Sequence, residues 1–238
     1  MAIQRISTGV GNLDERMEGG IPEKWVTLIC GRAGTMKSTL AYSVLFNAAK
    51  SSGRRGIYVT LEQNRQSLVD HMVKIGMDPR QIEGQGGIII VDMARLRKEM
   101  DKKEVEGEIN WPQSILTTVS NYKMKYGCDV FVLDSLAALY SITDIKNPRS
   151  EIFMFFDKLR DLDITTFLIS EMLEPDKLYF GMYGVEDFLA DGIFHLEIER
   201  DARNVNLYLS VVKMRMTKHD RSYFPLIVEH GGLEIVTD

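Results

Sequence analysis

An apolar run, WVTLIC (25–30), leads directly into Gly31-Arg32-Ala33-Gly34-Thr35-Met36-Lys37-Ser38, and a helical pattern follows from Ser38 to Lys50. No other feature of the chain constrains the fold as tightly. The spacing G-x-x-x-x-G-K-S between a strand and a helix is that of a P-loop. Gly31 and Gly34 let the backbone bend around a phosphate with no Cβ in the way. Successive N–H groups then point inward as an anion nest, and the helix N-terminus adds its partial positive charge. Lys37 would bring a full charge to the β- and γ-phosphates, and the Ser38 hydroxyl would ligate Mg²⁺. Ala33, Thr35, Met36 and Thr39 complete the expected cradle for ATP. Met36 stands where glycine is expected before the lysine. Its side chain must point away from phosphate, and its backbone must stay in a region open to an L-residue.

The rest of the chain alternates in the same way. GIYVTLE (56–62), GIIIV (87–91), DVFVLD (129–134) and ITTFLIS (164–170) read as buried strands. Residues 65–76, 111–126 and 149–162 read as helices, the second with Pro112 in its first turn. After residue 190 the pattern changes. Segments 192–200, 204–215, 223–229 and 233–236 follow one another with short turns and no helix between them. The expected fold is therefore α/β, a RecA-like P-loop type with a mainly parallel central sheet and a C-terminal antiparallel extension. Scarce proline and the lack of a Ser/Gly-rich linker predict a single domain over residues 1–238. Residues 94–108 are charge-rich and read as a solvated loop or an exposed helix, with a partner contact as the functional alternative.

Acids at strand ends supply the second half of the expected site. Asp134 closes the strand 129–134, and ligands of open parallel sheets bind at the carboxyl ends of strands. Asp134 is expected to hold Mg²⁺ together with Ser38. Glu62 follows GIYVTL and is placed to polarise a water for attack on the γ-phosphate; a first-turn acid of the next helix is the alternative. Glu171 follows ITTFLIS as either a γ-phosphate sensor or a surface turn residue.

Composition narrows the function classes. A net charge of −5 argues against a constitutive nucleic-acid binder. Cys30 and Cys128 read as buried apolar residues, and the four histidines lack ligand spacing. No apolar run reaches membrane-spanning length, and the first residues carry no signal-peptide core, so a soluble cytoplasmic protein is expected.

Together, STGVGNLDERMEGGIP (7–22), GRAGTMKST (31–39), YVTLE (58–62) and VFVLDSLAAL (130–139) resemble the RecA/RadA superfamily. Within it, GVEDFLADGIFHLE (184–197) and KMRMTKHDRSYFPL (213–226) resemble the KaiC-like ATPases of single-domain, archaeal type. The resemblance covers nearly the whole chain. It implies ATP held between neighbouring subunits of a homo-oligomer, usually a hexameric ring. It implies that Glu62 is the catalytic glutamate, beside Gln63 where KaiC has a second acid. It also implies that Lys213 and Arg215, with Met214 between them, reach a neighbour's γ-phosphate, and that Thr217 and His219 lie near the adenosine. Without the resemblance, KMRMTKH reads as an edge strand with protective charges. The resemblance also implies that Met36 is tolerated, since some archaeal KaiC-like chains carry the same T-M-K run; autokinase activity and a clock role are not carried over.

The expected function is slow, Mg-dependent ATP hydrolysis serving as a regulatory or assembly switch, with an unknown protein partner. One alternative is a recombinase paralogue handling single-stranded DNA. The other is a nucleotide-gated interaction module that docks a partner through 94–108 or through 172–184, with Tyr179, Phe180, Met182 and Tyr183.

Overall fold

In the computed structural model, residues 3–82, 87–93, 95, 109–172, 179–200, 202, 204–229 and 232–237 are described. The charge-rich stretch 94–108 lies outside them apart from Arg95, as does the middle of the loop 172–184.

Among the described residues there are eleven strands: β1 (Arg5–Ile6), β2 (Ile21–Pro22), β3 (Val26–Gly31), β4 (Gly56–Thr60), β5 (Ile88–Asp92), β6 (Val130–Asp134), β7 (Thr165–Glu171), β8 (Gly192–Arg200), β9 (Val205–Met214), β10 (Phe224–Glu229) and β11 (Gly232–Ile235). Nine of them form one sheet in the order β11-β10-β9-β8-β3-β7-β6-β4-β5. From β8 to β5 every neighbour is parallel, and from β8 to β11 every neighbour is antiparallel. The expected parallel sheet with an antiparallel extension is thus present. One detail differs: β8, read as the first strand of the extension, is itself parallel to β3 and joins the two halves.

The helices set out in full among the described residues are α1 (Lys37–Ser52), α2 (Arg65–Lys74), α3 (Trp111–Tyr126), α4 (Leu136–Ser141), α5 (Pro148–Asp161) and α6 (Glu186–Leu189). Strands covered on both faces read as unbroken apolar runs, because each side chain finds a core whichever way it points. In β6, Val130 and Val132 join the core under α1, while Phe131 and Leu133 join the core under α3 and α5. Each such buried side chain contributes about 1.5–3 kcal/mol. Asn64, Asn110, Ser135 and Asn147 cap α2, α3, α4 and α5 by accepting a backbone N–H three residues on.

The antiparallel pair β1–β2 and a 3-10 turn at Asp14–Met17 precede the sheet. Between β1 and that turn the chain passes along β11. Gly11 N–H donates to Leu233 O at 2.9 Å, and Ile235 N–H donates to Gly11 O at 3.1 Å. Among the described residues, no helix is long and apolar enough to cross a membrane.

Candidate functional site

Four parallel strands end together. Gly31 closes β3 opposite Glu171 of β7, and Thr60 closes β4 opposite Asp134 of β6. The turn 32–36 bends from β3 into α1. A Cβ on Gly31 would lie 2.4 Å from Leu196 O and 2.6 Å from Thr35 Oγ1, so only glycine fits. Gly34 has a φ of +84°. Thr35 is buried, and its hydroxyl donates to Arg32 O at 2.8 Å; Ala33 and Gly34 stay exposed. Thr39 is buried with its hydroxyl 3.4 Å from His71 Nε2.

Met36 precedes α1 with φ +65° and ψ +28° and offers no side-chain cap. Of the regions open to an L-residue it takes the smallest, the left-handed well that glycine would occupy, at a cost of about 1–2 kcal/mol. Its side chain packs against the core under α1. Without a cap, the first N–H groups of α1 have no side-chain acceptor and remain available to an anion.

Lys37 is only 8% exposed, and its ammonium donates to Arg32 O at 2.9 Å. An ammonium has three protons, so a buried donor with capacity to spare faces the turn. Burial pulls its pKa down, while the carboxylates of Glu171, Asp134 and Glu62 push it back up. The glycine that admits no Cβ, the uncapped helix start and this lysine together fit a bound phosphate chain.

Asp134 is 4% exposed. Burial raises its pKa, while hydrogen bonds from Tyr58 and Ser38 hold it down. Tyr58 O–H donates to Asp134 Oδ2 at 2.5 Å. A carboxylate beside a serine hydroxyl at the cradle's edge is an oxygen donor set of the kind that binds Mg²⁺. Glu62 lies two residues past β4, exposed, with its Oε1 accepting from Ser135 Oγ at 2.5 Å. The same Ser135 oxygen accepts Ala138 N–H at 3.2 Å as the cap of α4. Glu171 is the last residue of β7 rather than the residue after it. Glu62 and Glu171 line a cavity of about 350 Å³ together with Met93, Ala138 and Ile142.

The basic pair does not join this cluster within one chain. Lys213 faces Ile193, which faces Leu28, while the cradle begins at Gly31 opposite Leu196. Arg215 N–H donates to Asp191 O, and Asp191 N–H to Val26 O, at the other end of β3. Five residue steps along β3 separate the two ends by about 17 Å. Lys213 Nζ donates to Asp187 O and Ala190 O at 2.8 and 2.7 Å. Arg215 pairs with Asp191 Oδ1 at 2.6 Å and donates to Phe188 O at 2.9 Å. Met214 is buried between them. Thr217 Oγ1 accepts from Arg5 at 3.0 Å. His219 Nδ1 lies 3.0 Å from Thr217 O, and its buried Nε2 has no partner among the described residues. In the loop 172–184, Tyr179, Met182 and Tyr183 are exposed; Phe180 is half-buried against His195.

Three contributors escaped the sequence reading. Tyr58 and Ser135 hold the two acids, and Asp191 holds Arg215. Ser135 carried a signal, a hydroxyl placed directly after the strand-end acid. Tyr58 carried a weaker one, a hydroxyl inside an apolar strand.

The family model described as "ATPase: KaiC" matches residues 6–238. The circadian clock protein KaiC3 of Synechocystis sp. is 29% identical over 236 residues, covering 98% of this chain and 46% of that protein. The circadian clock oscillator protein KaiC of Picosynechococcus sp. is 27% identical over 238 residues, covering 98% and 44%. The chain thus spans just under half the length of these relatives. The crystal structure of the KaiC-like protein PH0186 from the hyperthermophilic archaeon Pyrococcus horikoshii OT3 superposes with a TM-score of 0.84 at 25% identity, covering 99% of this chain and 100% of that one. With a RecA-like sheet, a P-loop at its centre and a family match across nearly its full length, the chain belongs to the KaiC family of ATPases.

Proposed function

We propose that this chain is one RecA-like unit that binds Mg·ATP in the 31–39 cradle and hydrolyses it slowly at the interfaces of a homo-oligomer, a hexameric ring, as a nucleotide-driven regulatory or assembly switch. The observation that carries this reading is the unequal charge of the two sheet ends. At the cradle, Glu62, Asp134 and Glu171 all act on Lys37, with Arg32 exposed in the turn as the second cation. At the far end, Lys213, Arg215 and Arg160 gather around Asp191 and Asp187. An acid-rich end and a base-rich end on one chain favour head-to-tail association, the heterologous contact that closes into rings.

In this reading the backbone N–H groups of 33–38 and Lys37 bind and orient the phosphates. Mg²⁺ held by Ser38 and Asp134 would neutralise phosphate charge when bound. Glu62, fixed by Ser135, orients the attacking water and accepts its proton. Lys213 and Arg215 of one copy leave their own carbonyl oxygens and Asp191 to meet the charge on the next copy's γ-phosphate. Thr217 and His219 approach the adenosine from the same side. Gln63 in place of a second acid, Met36 in its strained cradle position and the need for cations in trans all point to slow turnover. The clock role named for the relatives is not extended to this chain.

Mixing two inactive variants tests the arrangement. Lys37→Ala spoils the cradle and Arg215→Ala spoils the donated cation. In a mixed ring, about a quarter of interfaces pair an intact cradle with an intact arginine, so about a quarter of wild-type ATPase activity returns. No recovery on mixing, with specific activity independent of protein concentration, would leave the cradle without its trans partner.

A further inference from the structure

Asp134 cannot orient itself. A carboxylate at a strand end has a free torsion and two equivalent oxygens, and a metal-binding acid needs one of them aimed at the cation. The fold offers a brace from the neighbouring strand. Tyr58 stands opposite Val132, and Thr60 stands opposite Asp134, so Tyr58 reaches Asp134 along the diagonal of the β4–β6 ladder. The tyrosine is fully buried under α1, against the ring of Tyr42 at 6.1 Å between centroids. Its O–H donates to Asp134 Oδ2 at 2.5 Å. Oδ2 is thereby taken, leaving Oδ1 as the oxygen free of the phenol.

We infer that Tyr58 is a positioning residue for the metal site: its phenol fixes Oδ2 of Asp134 so that Oδ1 is presented to the cation beside Ser38. The inference rests on the reading of Asp134 as the Mg²⁺ acid. Groups that hold a metal ligand from behind are worth about 10–100-fold in metal affinity or activity. The surroundings supply an internal control. Tyr42 is another fully buried tyrosine of the same cluster, and its O–H has no hydrogen-bond partner among the described residues. Removing that oxygen deletes a hydroxyl from the same core and leaves Asp134 untouched.

The test is a binding titration rather than an activity assay. Affinity for N-methylanthraniloyl-ATP is measured by fluorescence against Mg²⁺ concentration for the wild type, Tyr58→Phe, Tyr42→Phe and Asp134→Asn. Tyr58→Phe is expected to raise the Mg²⁺ midpoint about tenfold, with Mg-free affinity unchanged and Tyr42→Phe at the wild-type midpoint. Asp134→Asn is expected to lose the Mg²⁺ dependence. A wild-type midpoint for Tyr58→Phe, with the dependence lost in Asp134→Asn, overturns the role of Tyr58 and leaves the metal reading standing. An Asp134→Asn titration like that of the wild type overturns the metal reading itself. An equal shift in Tyr42→Phe, or an equal loss of affinity with and without Mg²⁺, marks a general packing defect and overturns the positioning role as well.

Discussion

The two ends of strand β3 handle charge in opposite ways. At the Gly31 end, carboxylates crowd one lysine, and the hydrogen bonds they receive come mostly from hydroxyls: Tyr58 and Ser38 on Asp134, Ser135 on Glu62. At the Val26 end, cations are matched to acceptors: Arg215 to Asp191, Lys213 to two carbonyls, and Asp191 also to Val26 N–H at 3.1 Å. A neutral donor fixes the direction of a carboxylate without cancelling its charge, as the proposed metal and phosphate site requires. An ion pair cancels charge and suits a contact that holds until something better displaces it. The molecule thus leaves carboxylates unpaired by cations at one end and pairs its cations at the other.

Substitutions at each end test that contrast. The largest effect is expected from Glu62→Gln, which keeps the acceptor for Ser135 and removes the base. Phosphate release in a single turnover should fall about 10²–10⁴-fold with nucleotide affinity unchanged. Retention of more than a tenth of the wild-type rate would move the water-orienting role elsewhere. A smaller effect is expected from Arg215→Ala on stability. The Arg215 side chain is 48% exposed, and Asp191 keeps Arg160 at 3.6 Å and the Val26 N–H. The ion pair is therefore worth about 0.5–1 kcal/mol, or a Tm loss of a few degrees by calorimetry. A loss several times larger would make the far end a structural clamp and its effect on activity indirect. The smallest is Met36→Gly. Relief of about 1 kcal/mol of left-handed strain is offset by lost packing on the α1 side, so urea midpoints should barely move. A marked fall in ATP affinity would instead assign the methionine side chain to the cradle.

The parts legible in the sequence were those with a local cause. Buried parallel strands announce themselves because both faces are apolar, as in VTLIC and VFVLD. The cradle announces itself because glycine, lysine and serine are needed at fixed spacing. Helices α4 and α6, of six and four residues, are too short to show a helical period. Strand order was hidden as well, since pairing joins β3 to β7 and β8 across more than a hundred residues. Tyr58 was read as core because a buried tyrosine and a positioning tyrosine look alike until the strand beside it is known. Lys213 and Arg215 drew notice only through family resemblance: by pattern alone they are charges on an edge strand, and their register against Leu28 depends on β8 lying between them.

The pairing of Gly11 and Asn12 with β11 bears on how the protein is made. Gly11 bonds Leu233 and Ile235, and Asn12 Nδ2 donates to Glu234 Oε1 at 2.9 Å. Contacts spanning more than two hundred residues close late, after loop-closure entropy has been overcome. During synthesis the early segment emerges long before its partner strand, so this pairing waits on the last part of the chain. The border of the sheet beyond β10 is sealed only once residue 235 has left the ribosome. Until then the flank of β10 that β11 covers is a bare β-edge.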